Sequence, residues 1–228
     1  MDIQKALSEK FLQEWIKQEY RKKEKIAYLK KRFQSNTPFP HLELHHFFNE
    51  EKLKKILQSL EKEEFLEKES DIFKFMQTHD FATSSSPELV ELKEFLSSKS
   101  FLMYMEEITG IKCKEGSIDI SASLYQNTDY LLPHDDQLEG RKIAFMVYLS
   151  NFEAADGGKL IMYKTKGSIP REEEKAITPQ FNSFVFFKVT DKSFHEVEEV
   201  LVNKQRITIG GWLHGAHHKS NLQEKKQY

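Results

Sequence analysis

A single cysteine, Cys113, in 228 residues excludes an intrachain disulfide framework and any zinc site built on cysteines alone. Such sparing use of thiols suits a reducing compartment. No run of about eighteen apolar residues occurs, so nothing in the sequence is expected to span a membrane. The start, MDIQKALSEKFLQEW, lacks the uninterrupted apolar segment of a signal peptide. Charge of one sign is missing as well: 34 Lys+Arg against 36 Asp+Glu leave a net charge of −2. That excludes a chain basic throughout, although charge can still be segregated along it. Repeats and low-complexity segments are absent. These absences together predict a soluble, cytoplasmic protein.

Aromatic residues are abundant, with 18 Phe and 8 Tyr, and 39 % of the chain is hydrophobic, enough to bury a core. Residues 1–36 predict a basic helical arm. Ile3, Leu7, Phe11 and Trp15 form one apolar stripe at helical spacing, within a segment holding ten Lys/Arg and five Asp/Glu. The stripe is expected to pack on the main body. The surplus of positive charge also allows weak contact with rRNA phosphates. SNTPFPH, with Pro38 and Pro40, ends the arm. LELHHFF predicts a short strand and EEKLKKILQSLEKEEFLEK an amphipathic helix. SSSPELVELKEFLSS carries a helix start, with Ser86 placed to cap and Pro87 at the first helical position, and SFLMYMEEITG closes on Gly110.

From residue 117 the texture changes. IDISASLYQ, RKIAFMVYLS, GKLIMYK, NSFVFFKVT and RITIGGWL are short, β-branched and aromatic, separated by polar turns. Helical support over about 50–110 followed by a β core over about 117–215 predicts a mainly β domain, residues 37–215, with flanking helices on one face. Residues 216–228 form a polar tail.

The chemistry concentrates in DYLLPHDDQLEG. In an extended segment, side chains two apart share a face, so His134 and Asp136 are expected to point together while Asp135 points away. His195, in KSFHEVEEV, offers a third ligand. Two histidines and one carboxylate leave three positions of an octahedron open, the arrangement of non-haem Fe(II) sites. His41-x-Glu43 is a pair of equal formal merit, and His45, His46, His214, His217 and His218 are further candidates. Arg206 lies eleven residues past His195. Alternation puts it on one strand face with Thr208, Gly210 and Trp212. An arginine aimed into a β pocket calls for an anion, and its planar fork suits a carboxylate. The competing explanation is a surface salt bridge to Glu196, Glu198 or Glu199. Tyr148 could donate to the same anion, and Gly157-Gly158 lets the backbone turn tightly near the site.

Taken in order, HDD, GRKIAFMVYLS, GGKLIMY, SFHEV and RITIGGWLHG resemble the 2-oxoglutarate- and Fe(II)-dependent oxygenases of the prolyl hydroxylase type. YLLPHDDQLEGRKIAF, NSFVFFKVTDKSFHEV and GGWLHG resemble the branch that hydroxylates a proline of a small-subunit ribosomal protein at the decoding centre. The similarity is strong over residues 117–215 and continues more weakly back to FPHLELHHFF. It implies a double-stranded β-helix, the jelly-roll or cupin-like fold. It also implies His134, Asp136 and His195 as iron ligands, and Arg206 with Tyr148 on the distal carboxylate of 2-oxoglutarate. Tyr125 matches a position lining the co-substrate pocket, and Arg141 and Trp212 match pocket or substrate-side positions. O2 is the second co-substrate implied, with ascorbate supportive. Eukaryotic members of the branch continue into a second, degenerate β-helix domain, whose roles are not carried over to this sequence.

Two other functions compete with a protein prolyl hydroxylase. One is a hydroxylase of a free amino acid or small metabolite. The other is a non-catalytic β-helix binding module that keeps only the shape.

Overall fold

The computed structural model describes residues 10–215. Ile3 and Leu7 of the arm's stripe, and the tail with His217 and His218, lie outside the described residues. Residues 10–15 are helical, α1, and a 3-10 turn over Gln18–Arg21 leads into α2, Lys23–Ser35. β1, His41–Leu44, is followed by α3, Glu50–Leu60, and a hairpin of β2, Leu66–Ser70, and β3, Phe73–Gln77. α4, Pro87–Ser97, and α5, Lys99–Thr109, come next, and Gly110 ends α5 in the left-handed conformation expected of it (φ 72°). Pro87 holds the first position of α4, but the Ser86 hydroxyl donates to the Glu88 carboxylate rather than capping the backbone.

The remaining strands are β4, Ile118–Tyr125; β5, Tyr130–His134; β6, Arg141–Tyr148; and β7, Leu160–Lys166. They are followed by β8, Ile169–Ile177; β9, Phe184–Lys188; β10, His195–Val197; and β11, Arg206–His214. Every pairing is antiparallel, in the order β1-β9-β6-β11-β4-β3-β5-β10-β7-β8. β1, β9, β6, β11 and β4 make one leaf and β5, β10, β7 and β8 the other. β3 joins them by pairing with β4 through Met76 and Gln77 and with β5 through Phe73 and Lys74. This is the double-stranded β-helix that the family resemblance implies.

Strand alternation divides the apolar residues between two faces. Phe184 and Phe186 of β9, Ile143, Phe145 and Val147 of β6 and Ile209 and Leu213 of β11 turn outward. They join Leu89, Leu92, Phe95, Phe101 and Met105 of α4 and α5 in the main core. Val185, Phe187, Ala144 and Tyr148 turn inward to a second cluster between the leaves, with Leu160 and Met162 of β7. One leaf is therefore buttressed by helices, and its inner face is left to build a site.

Two expectations need correction. The helix predicted over EEKLKKILQSLEKEEFLEK stops at Leu60, and the helical support over 50–110 is interrupted by the β2–β3 hairpin. β2 is mostly exposed and is held by its ladder to β3, from Leu66↔Gln77 to Ser70↔Phe73, so cross-strand pairing overrides local helix propensity. β8 was hidden by its charges, IPREEEKAI, which suit an edge strand that must not recruit another chain. No helix among the described residues is long and apolar enough to cross a membrane.

The described part of the arm packs into the core. Trp15 is 1 % exposed and stacks on Phe95 at 5.0 Å, while Phe11 meets the same ring edge-on at 5.3 Å. Trp15→Ala is expected to destabilise the protein by about 3–5 kcal/mol in urea unfolding, the usual loss for a large aromatic in a close-packed site. A change below about 1 kcal/mol would mean the arm is an appendage.

Candidate metal and co-substrate site

Register brings the two histidines together. β10 lies between β5 and β7, with His195 directly opposite His134 on one side and Met162 on the other. Side chains opposite one another on the same face are neighbours, and the two rings sit 4.2 Å apart, centroid to centroid. Asp136 joins them by a route the sequence did not indicate. β5 ends at His134, and Asp136 has φ 62°, a left-handed turn that aspartate tolerates better than most residues. The carboxylate thus comes back over the histidines because the strand has ended, not because it continues. Asp135 points away and accepts from the Gln137 amide at 3.0 Å.

Asp136 Oδ1 lies 3.5 Å from His134 Nε2, and Oδ2 lies 3.3 Å from His195 Nε2. The three ligand atoms fall within 4.8 Å of one another. Each imidazole is oriented from behind. His134 Nδ1 is 2.9 Å from Leu132 O and His195 Nδ1 is 2.8 Å from Ser193 O. A carbonyl only accepts, so both Nδ1 atoms carry a proton and both Nε2 atoms face the carboxylate. This outer arrangement is common behind metal-binding histidines.

Burial by itself would raise the Asp136 carboxyl, yet the two imidazoles outweigh it and hold it well below the usual carboxylate range. Burial would lower His134, and the Asp136 carboxylate outweighs that to raise it. An ionised carboxylate and two converging imidazole Nε2 atoms fit a divalent cation with open positions.

Across the interior, register assembles the second half of the site. Arg206 stands opposite Tyr125 on β4, and Thr208 stands opposite Tyr148 on β6. Arg206 is 1 % exposed, which removes the surface salt bridge from consideration; Glu198 pairs with Lys159 instead. Its Nε donates to Gly158 O at 2.6 Å and its Nη1 to Thr208 Oγ1 at 3.0 Å. Nη2 is buried without a partner, and so is the Tyr148 hydroxyl. No carboxylate among the described residues pairs with Arg206. Two buried donors from neighbouring strands with no acceptor match one end of a dicarboxylate. Burial pushes Tyr148 up to about 12, against the pull of Arg206, so its hydroxyl stays protonated and able to donate. Burial likewise raises Tyr125, whose ring centroid lies 5.0 Å from the guanidinium carbon.

Gly158 shows why glycine is needed here. Its φ is +66°, and a Cβ would meet Arg206 Cδ at 3.0 Å. Gly157, also left-handed at +74°, would bring a Cβ to 2.1 Å from Glu199 O.

His134, Asp136 and His195 line one cavity of about 130 Å³ together with Tyr125, Arg206, Thr208 and Trp212. Trp212 Nε1 is buried and unpartnered, and the Arg141 guanidinium stacks 3.4 Å from the indole centroid while an Nη1 donates to Asp136 O at 3.4 Å. Sequence analysis missed Gln77 and Ser121, which line the cavity and are joined by a 3.0 Å hydrogen bond: the hairpin that carries Gln77 went unrecognised, and nothing in the strand IDISASLYQ singled out Ser121. It also missed the orienting carbonyls, which no side-chain pattern announces. The rival pair does not assemble: His41 donates from Nδ1 to Phe39 O, and His41 and Glu43 gain no third ligand among the described residues. His214 lies 3.0 Å from Asp119 instead.

Asp136→Ala is expected to abolish Mn(II) binding, with Mn(II) as a stable stand-in followed by paramagnetic resonance, while leaving the thermal midpoint near that of wild type. Retained stoichiometric binding would place the metal elsewhere.

The family model for the 2OG-Fe(II) oxygenase superfamily matches residues 120–214. Prolyl 3-hydroxylase OGFOD1 of Xenopus laevis is 36% identical over 184 residues, covering 79% of this chain and 36% of that protein. Prolyl 3,4-dihydroxylase OGFOD1 of Ostreococcus tauri is 33% identical over 210 residues, covering 82% and 40%. The chain thus spans well under half the length of these curated relatives. Among solved structures, a prolyl-4-hydroxylase of Pseudomonas putida superposes with a TM-score of 0.66 at 15% identity, over 82% of this chain and 98% of that one. A Trichoplax adhaerens prolyl hydroxylase bound to a hypoxia inducible factor peptide gives 0.65 at 17%, over 84% and 91%. At these identities the superpositions speak for the fold, whereas the family model speaks for the chemistry of the segment that holds His134, Asp136, His195 and Arg206. The chain carries a 2OG-Fe(II) oxygenase domain.

Proposed function

We propose that this chain is an Fe(II)- and 2-oxoglutarate-dependent dioxygenase that hydroxylates a prolyl residue of a protein. The substrate proposed is a small-subunit ribosomal protein at the decoding centre. The observation that carries the reaction class is Arg206, which lines the same cavity as the His134–Asp136–His195 cluster and keeps a buried, unpaired Nη2. A β-helix that had kept only its shape would have no use for an uncompensated buried cation, which is expensive to maintain. The prolyl assignment draws on the curated prolyl hydroxylases it is similar to, and the ribosomal substrate on the resemblance of YLLPHDDQLEGRKIAF and GGWLHG to that branch.

In this assignment His134, Asp136 and His195 hold the iron. Arg206 and Tyr148 bind the distal carboxylate of 2-oxoglutarate, and Tyr125 walls the pocket behind it. When bound, the iron and co-substrate supply the oxidation: one atom of O2 goes to the substrate C–H and the other to succinate as CO2 leaves. The protein positions and excludes water. Trp212 gives a flat face for a pyrrolidine ring, and its free Nε1–H and the stacked Arg141 offer donors to the carbonyls that flank it. Ascorbate would support turnover by keeping the iron ferrous. A cytoplasmic location and weak contact of the basic arm with rRNA complete the proposal.

Mass spectrometry of the ribosomal protein after incubation with the chain, Fe(II), 2-oxoglutarate, ascorbate and air tests it. A gain of about 16 Da, the mass of one oxygen atom, on a proline is expected with wild type and absent with Asp136→Ala. Succinate without that gain would sink the ribosomal assignment and turn attention to free amino acids. Neither product, from protein that binds iron, would favour a binding module.

A further inference from the structure

A second cavity, of about 280 Å³, opens between α2 and β1 and shares no lining residue with the first. It lies where the outer strands of the two leaves approach one another. Thr37 Oγ1 donates to Glu174 of β8 at 3.0 Å, and Lys175 Nζ of β8 is 3.5 Å from Glu43 of β1. Three permanent cations line it, Lys25 and Arg32 from α2 and Lys175, against one carboxylate, Glu43. That carboxylate is already shared, since His45 Nε2 also lies 3.6 Å from it. Lys25 and Arg32 make no ion pair among the described residues.

His41 closes the cavity wall and is 3 % exposed. Its Nδ1 faces Phe39 O at 2.8 Å and must therefore carry the proton. Nε2 has no hydrogen-bond partner among the described residues. Burial holds this imidazole below its ordinary value; the Phe39 carbonyl and Glu43 oppose that, while Lys175 and Arg32 reinforce it, so two of the lining cations are felt at the ring. A concavity with this charge balance is built to receive an anion.

The aromatic side narrows the class. Tyr20 lines the wall, its hydroxyl donating to His45 O at 2.7 Å, and Tyr28, 55 % exposed, stands at the rim. Lys25 Nζ lies 5.1 Å from the Tyr20 ring centroid and 5.7 Å from that of Tyr28. Cations in a groove beside an exposed aromatic face are the means by which proteins hold single-stranded nucleic acid, with phosphate on the charges and base on the ring. The volume is many times what one water needs, so there is room for more than a lone ion.

We propose that this cavity binds a nucleotide unit of a single RNA strand, its phosphate among Lys25, Arg32 and Lys175 and its base against Tyr28. The site needs neither iron nor co-substrate, so it stands or falls apart from the oxygenase reaction. A free nucleotide presents the same chemistry, and the experiment separates the two sources.

The test is fluorescence anisotropy of a labelled twelve-nucleotide single-stranded RNA titrated with the whole chain at low and physiological salt, with AMP and inorganic phosphate as competitors. Binding is expected to weaken with salt and to fall at least tenfold in Arg32→Glu and in Lys175→Glu. Tyr28→Ala is expected to lose about fivefold or more, the size of one base stacked on an aromatic ring, and Tyr28→Phe to keep most of the affinity. Lys25→Gln with Arg32→Gln, checked by thermal midpoint, guards against misfolding of the charge reversals. AMP binding as tightly as the strand, with the same losses, would keep the nucleotide site and assign it to the free ligand. No binding, binding indifferent to all these variants, or competition by phosphate as strong as by AMP with Tyr28→Ala silent would overturn the proposal.

Discussion

The antiparallel register that sets His134 of β5 against His195 of β10 is the constraint on which the site depends. Shifting either strand by one residue would turn one imidazole to the opposite face, because side-chain direction alternates with period two. Several features hold that register. The inner-face residues Leu160 and Met162 of β7 are fully buried on the far side of β10. β3 pairs with β5 at Phe73 and Lys74, and Asp129, buried at the turn before β5, accepts from the Gln126 amide at 2.8 Å. The metal site is thus a consequence of sheet packing, and its third ligand is added where the sheet stops.

The second half depends on an opposite device. Arg206 is fixed through two of its three nitrogens, to Gly158 O and Thr208 Oγ1, and only Nη2 is left without a partner. A guanidinium clamped in this way loses little freedom when an anion arrives, so the favourable contact is not offset by ordering the side chain. The left-handed Gly158 is what permits the arginine stem to pass so close to the backbone that anchors it. Since Arg206 and the metal cluster belong to different leaves, a ligand that bridges them reports the spacing of the leaves as well as the chemistry of each. A dicarboxylate with a chelating group at one end has that form.

Much of this was legible in the sequence because β chemistry is written with period two. Arg206, Thr208, Gly210 and Trp212 were expected on one face, and they line one cavity. The apolar strands after residue 117 announced the β core, and motif order announced its family. What failed was local. Leu66, Glu67 and Lys68 continued a helical pattern and became a strand, because the partner that holds them, β3, is a tertiary fact. IPREEEKAI concealed an edge strand behind charge. The His134–Asp136 pair was anticipated for an extended segment, and it is brought together by a left-handed aspartate, whose φ no spacing rule contains. His41-x-Glu43 had the same spacing as the true pair, and only the fold distinguishes them.

The most direct test of the two-halved site is calorimetric titration of 2-oxoglutarate, without oxygen, into Mn(II)-loaded and metal-free protein, each as wild type and as Arg206→Ala. The account predicts tight binding only where both the metal and Arg206 are present, with removal of the arginine weakening it roughly tenfold to a hundredfold, the loss of a charge-assisted hydrogen bond. Binding that is equally tight without metal, or unchanged in Arg206→Ala, would contradict it.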